Sequence, residues 1–508
     1  MSSPKGHVVL FSYEGWGHLR PLTVLAAKIV KTRTTHVTVL TNPKYLERVQ
    51  TEVSRNFDSG DATRDLIRVI AMPIPDNSTM INPAGINTAF VATYKQLVNG
   101  ESIKCAQSGT VHNPLPIPTA VVLDFFAKAP LDAVRAAHSV KAYAWYTGSA
   151  SFISWAFGSD GEDPLPKIEA KVKETGRSFS EVAAEVVFET TGQVLYLPGL
   201  PPMHDYEHQP QEMFVKGIGG QFMLDGRSFL EQCDGLIMTT PEEYEPEGIA
   251  DIKKWFAKTS RSVYHLGPLL PALNDPKVSA EEKSISANGQ EISDFMDSVL
   301  KSHGPQSMVY MAFGSIFWSV EPEKIWAFVD VLIEKKIPFV MSHASPFASV
   351  PDSMKEKVEK SGLGILSKFT PQHSILAHPV TGWFVTHCGQ NSTIETIAYG
   401  IPMICWPFSA DQPANAARLT DILDVAYELY EIRNGLGLKP ILRNGKVPVG
   451  TVEAVREEAA RVLENAFLAD GQRKRENLKK LREAILGSWS DGGSSRLSMD
   501  ALADALDA

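Results

Sequence analysis

Eight residues of the stretch FTPQHSILAHPVTGWFVTHCGQNSTIETIAYGIPMICWPFSADQ (369–412) are of types that bind the parts of a nucleotide-linked sugar, in the order that such a molecule presents them. Phe369 offers a ring to stack on a base, and Gln372 an amide for the base edge. The strand GWFVTH then turns through Gly389 into the helix NSTIETIAYG. Free N–H groups at such an end, aided by the helix dipole, hold an anion. Asn391 and Ser392 read as its capping residues, and His387 stands at the strand end within reach of a phosphate oxygen. Glu395, read onto the first helical turn, is placed to accept both hydroxyls of a ribose. Asp411 and Gln412 follow the next strand, where a sugar on the diphosphate would extend. Taken singly, each has an ordinary reading as a capped helix or solvated polar surface. Their shared register is what singles them out.

A second group lies near the N-terminus. The strand HVVLFS runs into YEGWGH, which delivers His18 to the start of a helix read from Leu19. A lone histidine is more often structural than catalytic, but Asp124 ends another apolar strand, TAVVLD, at the same edge. A carboxylate accepting the far N–H of an imidazole fixes its tautomer and stabilises the imidazolium. Such a dyad lets His18 take a proton from an acceptor hydroxyl, an effect worth roughly 10²–10⁴ in rate. The GWG of the same loop also suggests a nicotinamide dinucleotide site and hence an oxidoreductase. That fingerprint needs glycine where Arg20 stands. A binding protein with a degenerate nucleotide site is a third reading, against which the intact His18 and Asp124 count. His204 and His208, spaced four apart, suggest a zinc site, although Pro201 and Pro202 make a helix there doubtful. No Asp-x-Asp motif is present, and no metal or other cofactor is expected.

Strands and helices must position these groups. Apolar strands are read at 7–12, 36–40, 66–72, 119–124 and 141–146, and again at 307–313, 337–342, 382–387 and 401–406. Helices are read at 19–32, 128–138 and 321–335. Such alternation makes α/β lobes with parallel sheets covered on both faces. The organisation expected is an N-terminal lobe over 1–262, a linker over 263–292 that is mobile and polar from 272, a C-terminal lobe over 293–487 and a terminal helix over 488–508. Ligands of parallel sheets sit outside the carboxyl ends of the strands, and the residues named above all follow strands. Two doubly wound, Rossmann-like lobes facing across a cleft are therefore predicted.

The chain has 508 residues and a net charge of −10, which argues against nucleic acid or an anionic membrane as main partner. Its composition, 44% hydrophobic and 21% charged, is that of an ordinary globular protein. The four cysteines (Cys105, Cys233, Cys388, Cys405) form no CxxC pair and fit a reducing compartment. No run approaches the ~18 apolar residues of a membrane span, so a cytoplasmic location is expected.

The 369–412 segment, with its THCG, NST, E and closing DQP, resembles the donor-binding signature of the UDP-glycosyltransferase superfamily in the version best known from plant enzymes acting on small molecules. The resemblance implies the two-lobed GT-B architecture and an inverting, metal-independent transfer from a UDP-sugar. It assigns uracil to Phe369 and Gln372, the diphosphate to His387, Asn391 and Ser392, ribose to Glu395, and sugar hydroxyls to Asp411 and Gln412, with Thr370, Gly389 and Gln390 as further contacts of the UDP-sugar. Thr147 in WYTGSA resembles the threonine that touches the donor sugar from the other lobe. Phe313-Gly314-Ser315 resembles the loop over the diphosphate, with Ser315 as its contact; Phe317 stands where a second hydroxyl is common, leaving Ser319 as substitute. The closing glutamine leans towards glucose. Phe369 and Gln390 both replace a tryptophan of the signature, as in a fungal-type branch. The partners implied are a UDP-sugar and a small hydrophobic acceptor such as a phenol, flavonoid, terpenoid or sterol, with the chain acting as a monomer. Candidate acceptor walls are Trp16, Phe152, Ile153, Trp155 and Phe157, with the 76–90 and 200–225 regions.

Overall fold

Continuous runs of Val, Ile, Leu and Phe build the two sheets, because strands covered by helices on both faces have no solvent side to alternate towards. Val8, Val9, Leu10 and Phe11, for instance, are all at most 1% exposed. The computed structural model describes residues 6–79, 82–158, 164–214, 218–273, 282–284, 286 and 288–507. In the N-terminal sheet seven parallel strands run from one edge to the other as Ser262–His265, Gly235–Met238, Lys141–Tyr146, Ala120–Asp124, His7–Phe11, His36–Thr41 and Ile67–Ala71. The C-terminal sheet has six: Gly364–Ser367, Phe339–Ser342, Met308–Ala312, Thr381–Thr386, Met403–Cys405 and Ala426–Glu428.

In chain order both sheets contain the arrangement 3-2-1-4-5-6, and the first carries one further strand at its edge. In each, winding reverses between the first and fourth strands, which is where a crevice opens at the carboxyl ends. The N-terminal reversal lies between His7–Phe11 and Ala120–Asp124, so His18 and Asp124 are delivered to it. The C-terminal one lies between Met308–Ala312 and Thr381–Thr386, which delivers Ser315 and His387. One topology, used twice, supplies both halves of a site.

The strands read from the sequence form, with ends differing by a residue or two. Other expectations change. The first helix spans Trp16–Thr32 rather than starting at Leu19, so His18 lies inside its first turn. The strand Ser262–His265 crosses the lobe boundary set at 262 and pairs with Gly235–Met238. Residues 274–281, 285 and 287 of the expected mobile linker lie outside the described residues. The described part is anchored: Ser286 Oγ donates to the Phe369 carbonyl at 2.8 Å, and the Glu282 carboxylate accepts from His373 N at 3.0 Å. Helix Gly289–His303 then begins with Ile292 and Met296 buried.

The helix Ser494–Asp507 lies on the N-terminal lobe, where Met499, Leu502 and Leu506 join the core around the first sheet. Each such side chain contributes about 1.5–3 kcal/mol when fully buried. Trp489 Nε1 donates to the Pro268 carbonyl at 2.8 Å, and the Lys28 ammonium lies 3.3 Å from the centroid of the Trp489 ring. Among the described residues no helix is long and apolar enough to cross a membrane.

Candidate active site

His18 projects from the first turn of Trp16–Thr32, and Gly15, the N-cap residue, is what lets the ring fold back: a β-carbon there would meet its Cδ2 at 3.3 Å. Its Nδ1–H donates to Asp124 Oδ2 at 2.8 Å. Asp124, with no exposure, also accepts from Ser12 Oγ at 2.9 Å and from Phe126 N at 3.2 Å, so its carboxylate is fixed by three donors. Burial works against a charged imidazole, yet Asp124, with Asp411 adding to it, outweighs that and raises the pKa of His18. The remaining nitrogen, Nε2, is left as the basic atom of a side chain that is 24% exposed.

A cavity of about 580 Å³ opens beside it between the lobes, within the range of small-molecule sites. Trp16, His18, Thr147, Phe152 and Trp155 line it from the N-terminal lobe, and Ser315, Phe369, Thr370, Gln372, His387, Gly389, Gln390, Asn391, Ser392, Glu395, Asp411 and Gln412 from the other. Asp124 stands behind His18. Of the other acceptor walls, Ile153 and Phe157 turn into the N-terminal core instead. Ser319 does not reach the cavity: it is fully buried and its hydroxyl serves Glu321 and Gln211.

Two turns set the C-terminal side. Cys388 (φ 64°) and Ala410 (φ 59°) are held left-handed beside His387 and Asp411, a conformation costing about 1–2 kcal/mol for a residue with a β-carbon. Glycines approach His387 from two directions, since a β-carbon on Gly389 would lie 2.7 Å from its Nε2 and one on Gly314 3.0 Å away. The helix spans Gln390–Tyr399 with Gly389 as N-cap, and no side chain caps it. Asn391 and Ser392 are thus inside the first turn rather than capping residues, and Glu395 falls on the second. Burial lowers the pKa of His387 to about 4, so the ring is neutral at pH 7 in the protein by itself.

Glu395 is also not a free carboxylate. Its Oε1 accepts from Arg20 Nη1 at 3.2 Å and from His373 at 2.7 Å, and its Oε2 from Gln372 Nε2 at 2.7 Å. Burial would raise its pKa, but Arg20 and His373 overcome that and hold it well below the usual carboxylate range. The other amide atom of Gln372 accepts from Tyr310, whose hydroxyl also meets Thr370 at 2.8 Å. Gln412 accepts from Phe408 N at 2.9 Å through its Oε1. The lobes touch through this network: besides Arg20, Asn391 Nδ2 donates to the Gly17 carbonyl at 2.8 Å and Gln390 Nε2 to Thr240 at 3.0 Å.

Arg20, His373, Tyr310 and Arg48 belong to the site and were not read from the sequence. Arg48 stacks over Trp16 at 3.5 Å and lies 5.6 Å from the centroid of Phe369. In the sequence Arg20 stands out only as the residue in place of the third glycine of a dinucleotide fingerprint. A cation on the buried side of a first helix needs a partner, and that was its available signal. The loop that a nicotinamide site would need is instead closed against Asn391, so that alternative is not favoured.

Asp411 accepts the Gln390 N–H at 3.1 Å, but burial, with Glu245 nearby, lifts its pKa from 3.8 to about 7. The fold thus prefers the protonated acid, and stability is lost as pH rises from the unfolded value through about 7. Asp411→Asn is expected to raise the thermal unfolding midpoint at pH 8, with the gain shrinking towards pH 5. A pH-independent midpoint difference in calorimetry would contradict this.

Comparison with known proteins identifies the family. Residues 245–426 match the family described as UDP-glucoronosyl and UDP-glucosyl transferase. The UDP-glycosyltransferase eriJ of Hericium erinaceus is 30% identical, covering 99% of each chain. Anthocyanidin 3-O-glucosyltransferase 5 of Manihot esculenta is 24% identical over 98% of this chain and 95% of its own. Among solved structures, a UGT of Siraitia grosvenorii in complex with UDP superposes with a TM-score of 0.70 at 22% identity, covering 98% of this chain and 99% of its own. UGT71G1 of Medicago truncatula, complexed with UDP-glucose, also gives 0.70, at 20% identity over 99% and 98%; these two show the shared GT-B fold. With paired Rossmann-type sheets, a cleft between them and a 30% identical relative matched end to end, the chain belongs to the UDP-glycosyltransferase family of enzymes.

Proposed function

We propose that the chain transfers a sugar, glucose in first place, from a UDP-sugar to a hydroxyl of a small hydrophobic acceptor, with inversion and without a metal. The observation that carries this is the 2.8 Å His18–Asp124 pair on the same cavity as the uncapped N-terminus of Gln390–Tyr399. His18 Nε2 takes the proton of the acceptor hydroxyl as its oxygen attacks the anomeric carbon. The bond from that carbon to the diphosphate oxygen breaks on the opposite face, and its electron pair leaves with UDP. Asp124 stabilises the imidazolium so formed, and the helix N-terminus meets the diphosphate charge, with His387 as a hydrogen-bonding neighbour. Thr147, Asp411 and Gln412 face the sugar.

Uracil lies against Phe369, and ribose on Glu395, where its hydroxyls join or replace the Gln372 amide. Wild type is then expected to bind UDP about tenfold more tightly than 2′-deoxy-UDP, and Glu395→Gln to narrow that gap, since a hydrogen bond to a charged group contributes about 1.5–3 kcal/mol. Equal discrimination in both proteins by titration calorimetry would remove Glu395 from the ribose site. The reading as a whole is tested by a screen of UDP-sugars against phenolic and terpenoid alcohols, read by product mass. UDP release with a glycoside of matching mass supports it; no product from any pair overturns it.

A further inference from the structure

The Arg48 side chain, carried by helix Leu46–Ser54, lines the cavity with its guanidinium carbon 3.5 Å from the centroid of the Trp16 ring, which in turn stacks on Tyr45 at 6.4 Å. Among the described residues its guanidinium makes no hydrogen bond and no ion pair. The acids around it are already engaged: Glu52 with Arg55 at 2.6 Å, Glu395 with Arg20 at 3.2 Å, and Glu282 with the backbone N–H of His373 at 3.0 Å. Burial, with Arg20 adding to it, lowers the pKa of Arg48 only to about 10, so it remains a cation at neutral pH. A charge partly withdrawn from water and left unpaired is costly. Support from Trp16 on one face leaves its five N–H donors without an acceptor in the protein.

Phe369 meets this cation from the C-terminal lobe. Its ring is 38% exposed, and its centroid lies 5.6 Å from the guanidinium carbon. A flat guest sandwiched between the two would need two contacts of about 3.5–4.0 Å each, which is more than this spacing gives. A ring can instead lie offset on Phe369, as aromatic pairs prefer, and turn its edge to the guanidinium. Uracil carries two carbonyl acceptors on its edge, and donors are what Arg48 has to spare.

The C-terminal lobe has few donors left for that edge. Gln372 gives its Nε2 to Glu395 at 2.7 Å, and its Oε1 accepts from Tyr310 at 3.2 Å. Thr370 shares the same tyrosine hydroxyl at 2.8 Å. A base carbonyl reaches either side chain only by breaking one of these bonds, whereas Arg48 breaks none.

We propose that Arg48 donates to a carbonyl oxygen of the uracil that lies on Phe369, so that the base is held by both lobes. This rests on the UDP-sugar reading above and adds to it a recognition residue from the lobe that the 369–412 segment does not cover.

The test is titration calorimetry of UDP and of ribose 5-diphosphate, which keeps the sugar and the phosphates but has no base, with wild type, Arg48→Met and Arg48→Gln. Methionine keeps an unbranched apolar stem against Trp16 and removes every donor; glutamine keeps an amide donor. Arg48→Met is expected to bind UDP about tenfold more weakly than wild type, as the loss of a hydrogen bond to a charged group implies. Its affinity for ribose 5-diphosphate, read by competition with UDP, should stay that of wild type, and Arg48→Gln should recover part of the loss for UDP. An unchanged or tighter UDP affinity in Arg48→Met overturns the proposal. So does an equal loss for both ligands, which would place the guanidinium on the phosphates or ribose, or make its role purely structural. If wild type itself binds no UDP, the donor reading falls, and this proposal with it.

Discussion

Transfer to a phenolic acceptor is expected to fall about 10²–10⁴-fold in His18→Ala, while the affinity for UDP stays that of wild type. The separation follows from where the atoms are. His18 sits on the N-terminal side with Nε2 open to the cavity, whereas the groups assigned to UDP belong to the other lobe. Alanine removes the proton acceptor and leaves the helix N-terminus, Phe369 and Glu395 untouched. Near-wild-type turnover would remove His18 from the chemistry; loss of UDP binding in calorimetry would mean that the substitution had disturbed the lobe contact through the neighbouring Gly17.

Asp124→Asn is expected to lower transfer by up to about 10⁴-fold, and to move the pH profile in a defined direction. The carboxylate accepts from His18 Nδ1–H, which keeps Nε2 unprotonated and basic. An amide nitrogen turned to Nδ1 favours the opposite tautomer, with the proton on Nε2, and that form cannot act as base. Asp124 is also what lifts the pKa of His18 against burial. Since the base works only when neutral, activity rises with pH through that pKa. Without Asp124 the pKa drops, so the acid limb of the kcat/KM profile should move to lower pH. A severe loss of rate with an unmoved limb would point to distortion of the loop rather than to the dyad.

Much of this was legible in the chain because strand ends are. TAVVLD and GWFVTH are short apolar runs that end in a polar residue, and in a doubly wound sheet that residue must emerge at the binding edge. Asp124 and His387 were found in this way, and His18 by the loop that follows HVVLF. Less legible were features that depend on what two distant segments do to each other. Glu395 carries no sign in its own helix that Arg20 occupies it, nor does Gln372. The capping reading failed for a local reason: Asn391 and Ser392 are good caps, but Gly389 is required beside His387, and it takes the cap position. The helices Leu165–Thr175, Phe179–Val187 and Ile218–Gln232 were not anticipated. They pack mainly on one another through a small cluster around Ile168, Val182 and Ala183. They also flank the acceptor side, where Phe188, Phe222 and Met223 line the cavity.

The helix Ser494–Asp507 has a mechanical consequence. The chain passes from the N-terminal to the C-terminal lobe between Leu266 and Gly289, and returns between Gly487 and Ser494 to bury Met499 and Leu502 in the first core. A single crossing would act as a ball joint, free to twist as well as open. Two crossings remove that freedom, because any relative movement of the lobes must keep both connections intact. The contacts from Gly17 to Asn391 and from Arg20 to Glu395 close the lobes on the cavity side, and both would have to break before the base could part from the donor helix.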